Sequence, residues 1–214
     1  MKTEVKYYEW KEEMLNVATH GLGVALSIAA LVLLVVYASL DGDAWHVVSF
    51  SIYGASLLFL YLASTTFHLS RRLKLRQWLN VADHAAIFLL IAGTYTPYSL
   101  VTLRGPWGWS IFGVVWGLAI AGMLLKIFYT GRFNLLSTLI YVLLGWFILI
   151  AISPLVNALP TGGLLWLLAG GISYTVGSLF FLFNRIPYNH AIFHLFVLAG
   201  SVCHFVSVFW YILT

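Results

Sequence analysis

The chain has 214 residues, 62% of them hydrophobic and only 8% charged, with a formal net charge of +4 and a mean hydropathy of +0.95. A soluble domain carries roughly 25% charged residues, so this composition excludes a water-facing globular surface. The basic excess falls in short clusters between apolar runs, a pattern of membrane topology and not of nucleic-acid binding.

Residues 1–16 mix Lys2, Lys6 and Lys11 with Glu4, Glu9, Glu12 and Glu13. No Ala-x-Ala-like cleavage site follows the first apolar run, so this stretch is expected to remain as an interfacial N-terminal segment. A spanning helix needs about 20 apolar residues, and seven stretches meet that length. They lie near 18–39, 46–68, 82–102, 108–128, 134–153, 163–183 and 189–212. The separators are Asp41-Gly-Asp43, the basic run Arg71 to Arg76, Arg104-Gly-Pro-Trp107, Tyr129 to Phe133, Pro154 to Pro160, and Asn184 to Tyr188. Gly and Pro punctuate several of them. The sequence therefore predicts one all-α domain over 1–214, a polytopic seven-transmembrane-helix bundle.

The positive-inside rule orients it. With the N-terminus cytoplasmic and the C-terminus extracytoplasmic, Lys2, Lys6, Lys11, Arg71, Arg72, Lys74, Arg76, Lys126, Arg132 and Arg185 fall inside. Arg104 alone falls outside, so ten of the eleven basic residues obey the rule.

Beyond Asp43 the chain has a single acidic residue, Asp83. An intramembrane carboxylate is costly and marks a functional site by default. At about 1.5 Å per residue, His68, Asp83, His84, His190 and His194 share one depth band near the cytoplasmic face. His190 and His194, four apart, stack on one helix face, as do Ser64 and His68. Glu13, Asn16 and His20 make a polar stripe entering the first span. Two His on one helix and one on another can build a tetrahedral metal site with water in the fourth position, and Zn²⁺ suits imidazoles without thiolates. The same residues can instead be interhelical hydrogen-bond glue.

His46, His204 and Cys203, the lone cysteine, are assigned to packing or interface roles. Trp45, Trp78, Trp107 and Trp109 are interfacial anchors. Gly117 and Ala121 are expected to serve helix packing within or between chains.

Five segments carry a resemblance: Glu13-x-x-Asn-x-x-Thr-His-x-x-Gly23, Ser64-Thr-Thr-Phe-His68, Asp83-His84, Gly93-Thr-Tyr-Thr-Pro97 and His190-Ala-Ile-Phe-His194. In this order the chain resembles the haemolysin-III family, bacterial relatives of the progestin and adipoQ receptors in a superfamily that includes alkaline ceramidases. Phe193 departs from the Trp found there in many relatives. The resemblance implies Zn²⁺ held by His68, His190 and His194. It also implies that Asp83 holds or polarises a zinc-bound water, with Ser64 beside it. A bacterial cytoplasmic-membrane location follows from the same likeness.

Such a site is expected to hydrolyse lipid amides or esters in membrane lipid homeostasis, the acyl chain entering between helices. A non-enzymatic lipid-sensing protein with structural zinc and a pore-forming cytolysin are the alternatives. The expected partners are the bilayer and a membrane lipid or fatty-acyl ligand.

Overall fold

The computed structural model describes residues 5–183 and 185–213. Lys2, Glu4 and Asn184, counted in the basic clusters and separators, lie outside the described residues. The helices are α1 (Trp10–Asp41), α2 (Ala44–Leu69), α3 (Leu73–Pro97), α4 (Pro106–Tyr129), α5 (Asn134–Gly145), α6 (Ile152–Ala158), α7 (Thr161–Leu182) and α8 (Asn189–Tyr211). A π turn, Tyr98–Thr102, extends α3, and a 3₁₀ turn, Phe147–Ala151, joins α5 to α6. Among the described residues there is no strand. Among the described residues, seven helical stretches are long and apolar enough to cross a membrane.

α1 begins at Trp10, eight residues before the expected span. Glu12 and Glu13 occupy its first turn, where carboxylates complement the helix dipole. Glu13, Asn16, His20, Gly23 and Ser27 are buried along it. Their three- and four-residue spacing turns one polar stripe toward the bundle. α2 starts on Asp43, whose carboxylate accepts the Trp45 and His46 backbone N–H groups at 2.9 and 3.1 Å, an N-cap. Gly105, at φ 121°, turns the chain into Pro106 at the start of α4, where the missing N–H of proline does no harm.

Two further expected boundaries change. The basic run is not all separator: α3 starts at Leu73, and Arg76 within it is only 1% exposed. The fifth span is not one helix. Pro154 sits in α6, where it can neither donate to the preceding turn nor tolerate a regular helical carbonyl there, and residues 147–151 tighten into the 3₁₀ turn. Tyr95 repairs the break. Its hydroxyl accepts the Ile148 N–H at 2.8 Å and points at the Leu144 and Gly145 carbonyls, 3.0 and 2.9 Å away. In lipid such groups must be satisfied internally.

α1 packs on α2 and α8, α2 on α3, α3 on α4, and α7 on α8, while α5 touches both α3 and α7. α3 is the most enclosed span. Close approach depends on small residues. A Cβ on Gly93 would lie 2.1 Å from the Ser56 hydroxyl oxygen. Gly117, by contrast, meets nothing within 4 Å, and both it and Ala121 face outward. They do not pack helices within this chain.

Candidate metal centre

Three imidazoles meet at the end of the bundle that carries most of the basic residues. His68 comes from the last turn of α2, and His190 and His194 from the first two turns of α8. His190 Nε2 lies 3.2 Å from His68 Nε2 and 3.1 Å from His194 Nε2. One nitrogen from each ring falls within 4.8 Å of the others, and all three residues are buried. Three aromatic nitrogens converging in a buried pocket cannot all be satisfied by bonding one another. The donor set fits a divalent ion that prefers nitrogen ligands, so the trio could hold a metal.

Two of the opposite ring nitrogens have their own partners, while His190 Nδ1 is buried with no hydrogen-bond partner among the described residues. His68 Nδ1 lies 2.6 Å from Glu13 Oε2, and His194 Nδ1 lies 3.3 Å from Thr19 Oγ1. Glu13 also pairs with Arg76. Glu12 accepts the His190 backbone N–H at 3.2 Å, placing a carboxylate at the N-terminal turn of α8. Tyr8 covers the group from the N-terminal segment, its ring stacked on His190 with centroids 4.6 Å apart. Burial, and then the charge of Glu12, push its phenol above the ordinary value.

A cavity of about 570 Å³ opens beside the imidazoles. Ser64 and Asp83 line it together with His190 and His194, and it continues to Trp146, Tyr174 and His204. His204 lies ten residues beyond His194 on α8, about 15 Å along the axis. Leu90, Ile91, Phe193 and Val197 give much of its wall an apolar character.

The expected site residues thus fall into one neighbourhood: His68, His190 and His194 at its centre, Asp83 and Ser64 on the adjoining wall. His84 lines the cavity too, while its backbone carbonyl accepts the Tyr141 hydroxyl at 3.0 Å. His46 stands apart, with Asp43 near Arg104, and His204 donates to the Leu167 carbonyl at 3.1 Å. Cys203 is a free, half-buried thiol. Glu13, Asn16 and His20, a polar stripe in the sequence, all reach the imidazoles: Asn16 Nδ2 lies 3.4 Å from His68 Nδ1, and His20 stacks on His194. Tyr8 and Arg76 carried no sequence signal for this place. Thr19 alone was legible in part, since it lies one residue before His20 in the helix-1 motif.

A sequence profile described as haemolysin-III related matches residues 8–205. The chain is 51% identical to Hemolysin-3 of Bacillus cereus over 203 residues, covering 95% of this chain and 93% of that protein. It is 48% identical to a Hemolysin-3 homolog of Bacillus subtilis (strain 168) over 201 residues, 94% of each. Similarity extends to the human monocyte to macrophage differentiation factor, 27% identical over 207 residues, 94% of this chain and 84% of the relative. A match of this extent, on a bundle of seven membrane-length helices, makes the chain an integral membrane protein of the haemolysin-III family.

Proposed function

We propose that this protein is a zinc-dependent intramembrane hydrolase of lipid amides or esters, with His68, His190 and His194 as the metal ligands. The observation that carries this reading is a single cavity in which Asp83, Ser64, His190 and His194 stand beside a long apolar extension. Zinc bound by three imidazoles supplies Lewis acidity and brings the pKa of a water to about 7. Asp83 orients the attacking water, takes its proton, and returns it to the nitrogen or oxygen of the leaving group as the acyl C–N or C–O bond breaks. Ser64, buried on α2 one turn before His68, donates a hydrogen bond to the oxygen that becomes negative at the carbonyl carbon. The acyl chain occupies the cavity toward Trp146 and His204.

The basic residues support placing this end of one seven-helix domain in the cytoplasmic leaflet of the bacterial cell membrane, with the N-terminus inside. The substrate then reaches the site from the bilayer.

Purified protein in nanodiscs, assayed against lipid amides and esters with its metal content measured in parallel, tests the reading. His194→Ala should lose both metal and turnover. Asp83→Asn should keep the metal and lose turnover by at least about 100-fold, the scale of one general base. Turnover that survives His194→Ala overturns the mechanism. Full function in Asp83→Asn would instead favour a lipid-sensing protein in which the metal is structural. The name of the Bacillus cereus relative suggests a cytolysin. Dye leakage from liposomes, lost in His194→Ala, would favour that reading.

A further inference from the structure

Arg76 is a guanidinium buried to 1% exposure in a chain with very few internal charges. It donates to the Phe67 carbonyl at 3.1 Å and the Ser70 carbonyl at 2.9 Å, both at the end of α2. It also donates to the Lys6 carbonyl at 3.0 Å, and to Glu13. The Tyr7 and Phe67 rings lie over it, each centroid 4.4 Å away. Four segments of the chain therefore fix its plane: the N-terminal stretch, α1, α2 and its own α3. Its position is anchored to the residues flanking His68.

Glu13 spends one carboxylate oxygen on Arg76 and the other on His68 Nδ1, 2.6 Å away. Asn16 Nδ2 also approaches that nitrogen, at 3.4 Å. The two contacts demand opposite things, because an amide N–H needs a lone pair on Nδ1 and a carboxylate needs a proton there. The shorter, charge-assisted contact prevails. His68 then carries its proton on Nδ1 and turns the Nε2 lone pair toward His190 Nε2, 3.2 Å away.

We propose that Glu13 and Arg76 are positioning residues for the metal-binding face of His68: Arg76 holds the Glu13 carboxylate in place, and Glu13 fixes the tautomer and the plane of the imidazole. Neither touches the ion. A carboxylate on the far nitrogen of a ligating His raises its basicity and prevents its rotation, and loss of such a partner costs about 10–100-fold in metal affinity. The guanidinium balances the carboxylate charge. Lysine cannot substitute, since one ammonium lacks the planar fork that reaches carboxylate and carbonyls together. This proposal rests on reading His68, His190 and His194 as metal ligands.

The test is a Co²⁺ titration of the metal-stripped full chain in detergent, followed by the visible d–d band, with Zn²⁺ competition for affinity. Glu13→Gln keeps the shape and an acceptor oxygen, and should bind about 10-fold more weakly. Glu13→Ala should bind about 100-fold more weakly with a shifted band. Arg76→Lys should resemble Glu13→Gln. The thermal midpoint of the metal-free Glu13→Gln protein should match the parent, separating positioning from general stability. His68→Ala is the internal standard. If the parent binds no Co²⁺, or if His68→Ala binds as well as the parent, the metal reading itself fails and this proposal with it. If the parent binds, His68→Ala does not, and both Glu13→Gln and Arg76→Lys bind within about twofold of the parent, the positioning role alone is overturned.

Discussion

The His20 ring lies flat on the His194 ring, with centroids 3.4 Å apart and planes inclined by 12°. Tyr61 meets the His20 ring edge-on, at 5.1 Å and 90°. His20 is outside the converging trio, yet it presses one member of that trio into place. Such ring pairs contribute about 1 kcal/mol beyond the area they bury, and about 1 kcal/mol corresponds to roughly fivefold in a binding constant. In Co²⁺ titrations His20→Ala should therefore weaken binding about fivefold or more, while His20→Phe, which retains the stack, should stay within about twofold. Equal weakening in both variants would mean that the ring nitrogens of His20, and not its stacking, matter.

Tyr95 gives the Gly93–Pro97 segment a structural role. Its hydroxyl is the acceptor for the Ile148 N–H and faces two carbonyls at the end of α5. Removing the oxygen in Tyr95→Phe leaves buried backbone groups without a partner, at a cost of about 1–3 kcal/mol. A lower midpoint in thermal or denaturant unfolding in micelles, with the metal affinity unchanged, is the expected result.

Gly93 and Gly117 make a matched pair of tests. A Cβ at Gly93 meets Ser56 Oγ at 2.1 Å and Ser56 Cβ at 2.6 Å, whereas one at Gly117 meets nothing within 4 Å. Gly93→Ala should force α2 and α3 apart and cost about 1–3 kcal/mol. Gly117→Ala should be neutral or stabilising by up to about 1 kcal/mol, the helix preference for alanine. A large loss of stability in Gly117→Ala would point to a second chain packed on that face.

Asp43, between α1 and α2, is held down to about 2, below its ordinary 3.8. The largest cause is the hydrogen bond from the His46 side chain, followed by the His46 backbone N–H. A carboxyl group depressed in the folded state stabilises it above the unfolded value and ceases to do so as pH falls through the folded value. The midpoint difference between the parent and Asp43→Ala should hence be full at neutral pH and close between about pH 4 and pH 2. A difference that persists unchanged below that window would trace to the lost cap geometry alone.

By itself, the sequence determined the class of the protein and the seven spans, because crossing hydrocarbon imposes a length and a polarity that can be counted along the chain. It also marked His68, His190 and His194, since spacing of four residues and equal depth are properties of a helix and need no knowledge of its neighbours. It did not reveal that the fifth span is broken, because the hydroxyl that makes the break tolerable sits on Tyr95, some 50 residues away.

Arg76 shows the same limit more sharply. Counted along the chain it belongs to a basic cluster at a helix end, where arginine is ordinarily solvated. Only the folded chain brings Lys6, Glu13, Phe67 and Ser70 around one guanidinium. A buried charge is tolerable solely through its partners, and partners drawn from three other segments are assembled by tertiary packing. Periodicity and composition carry no record of which of several like residues will receive them.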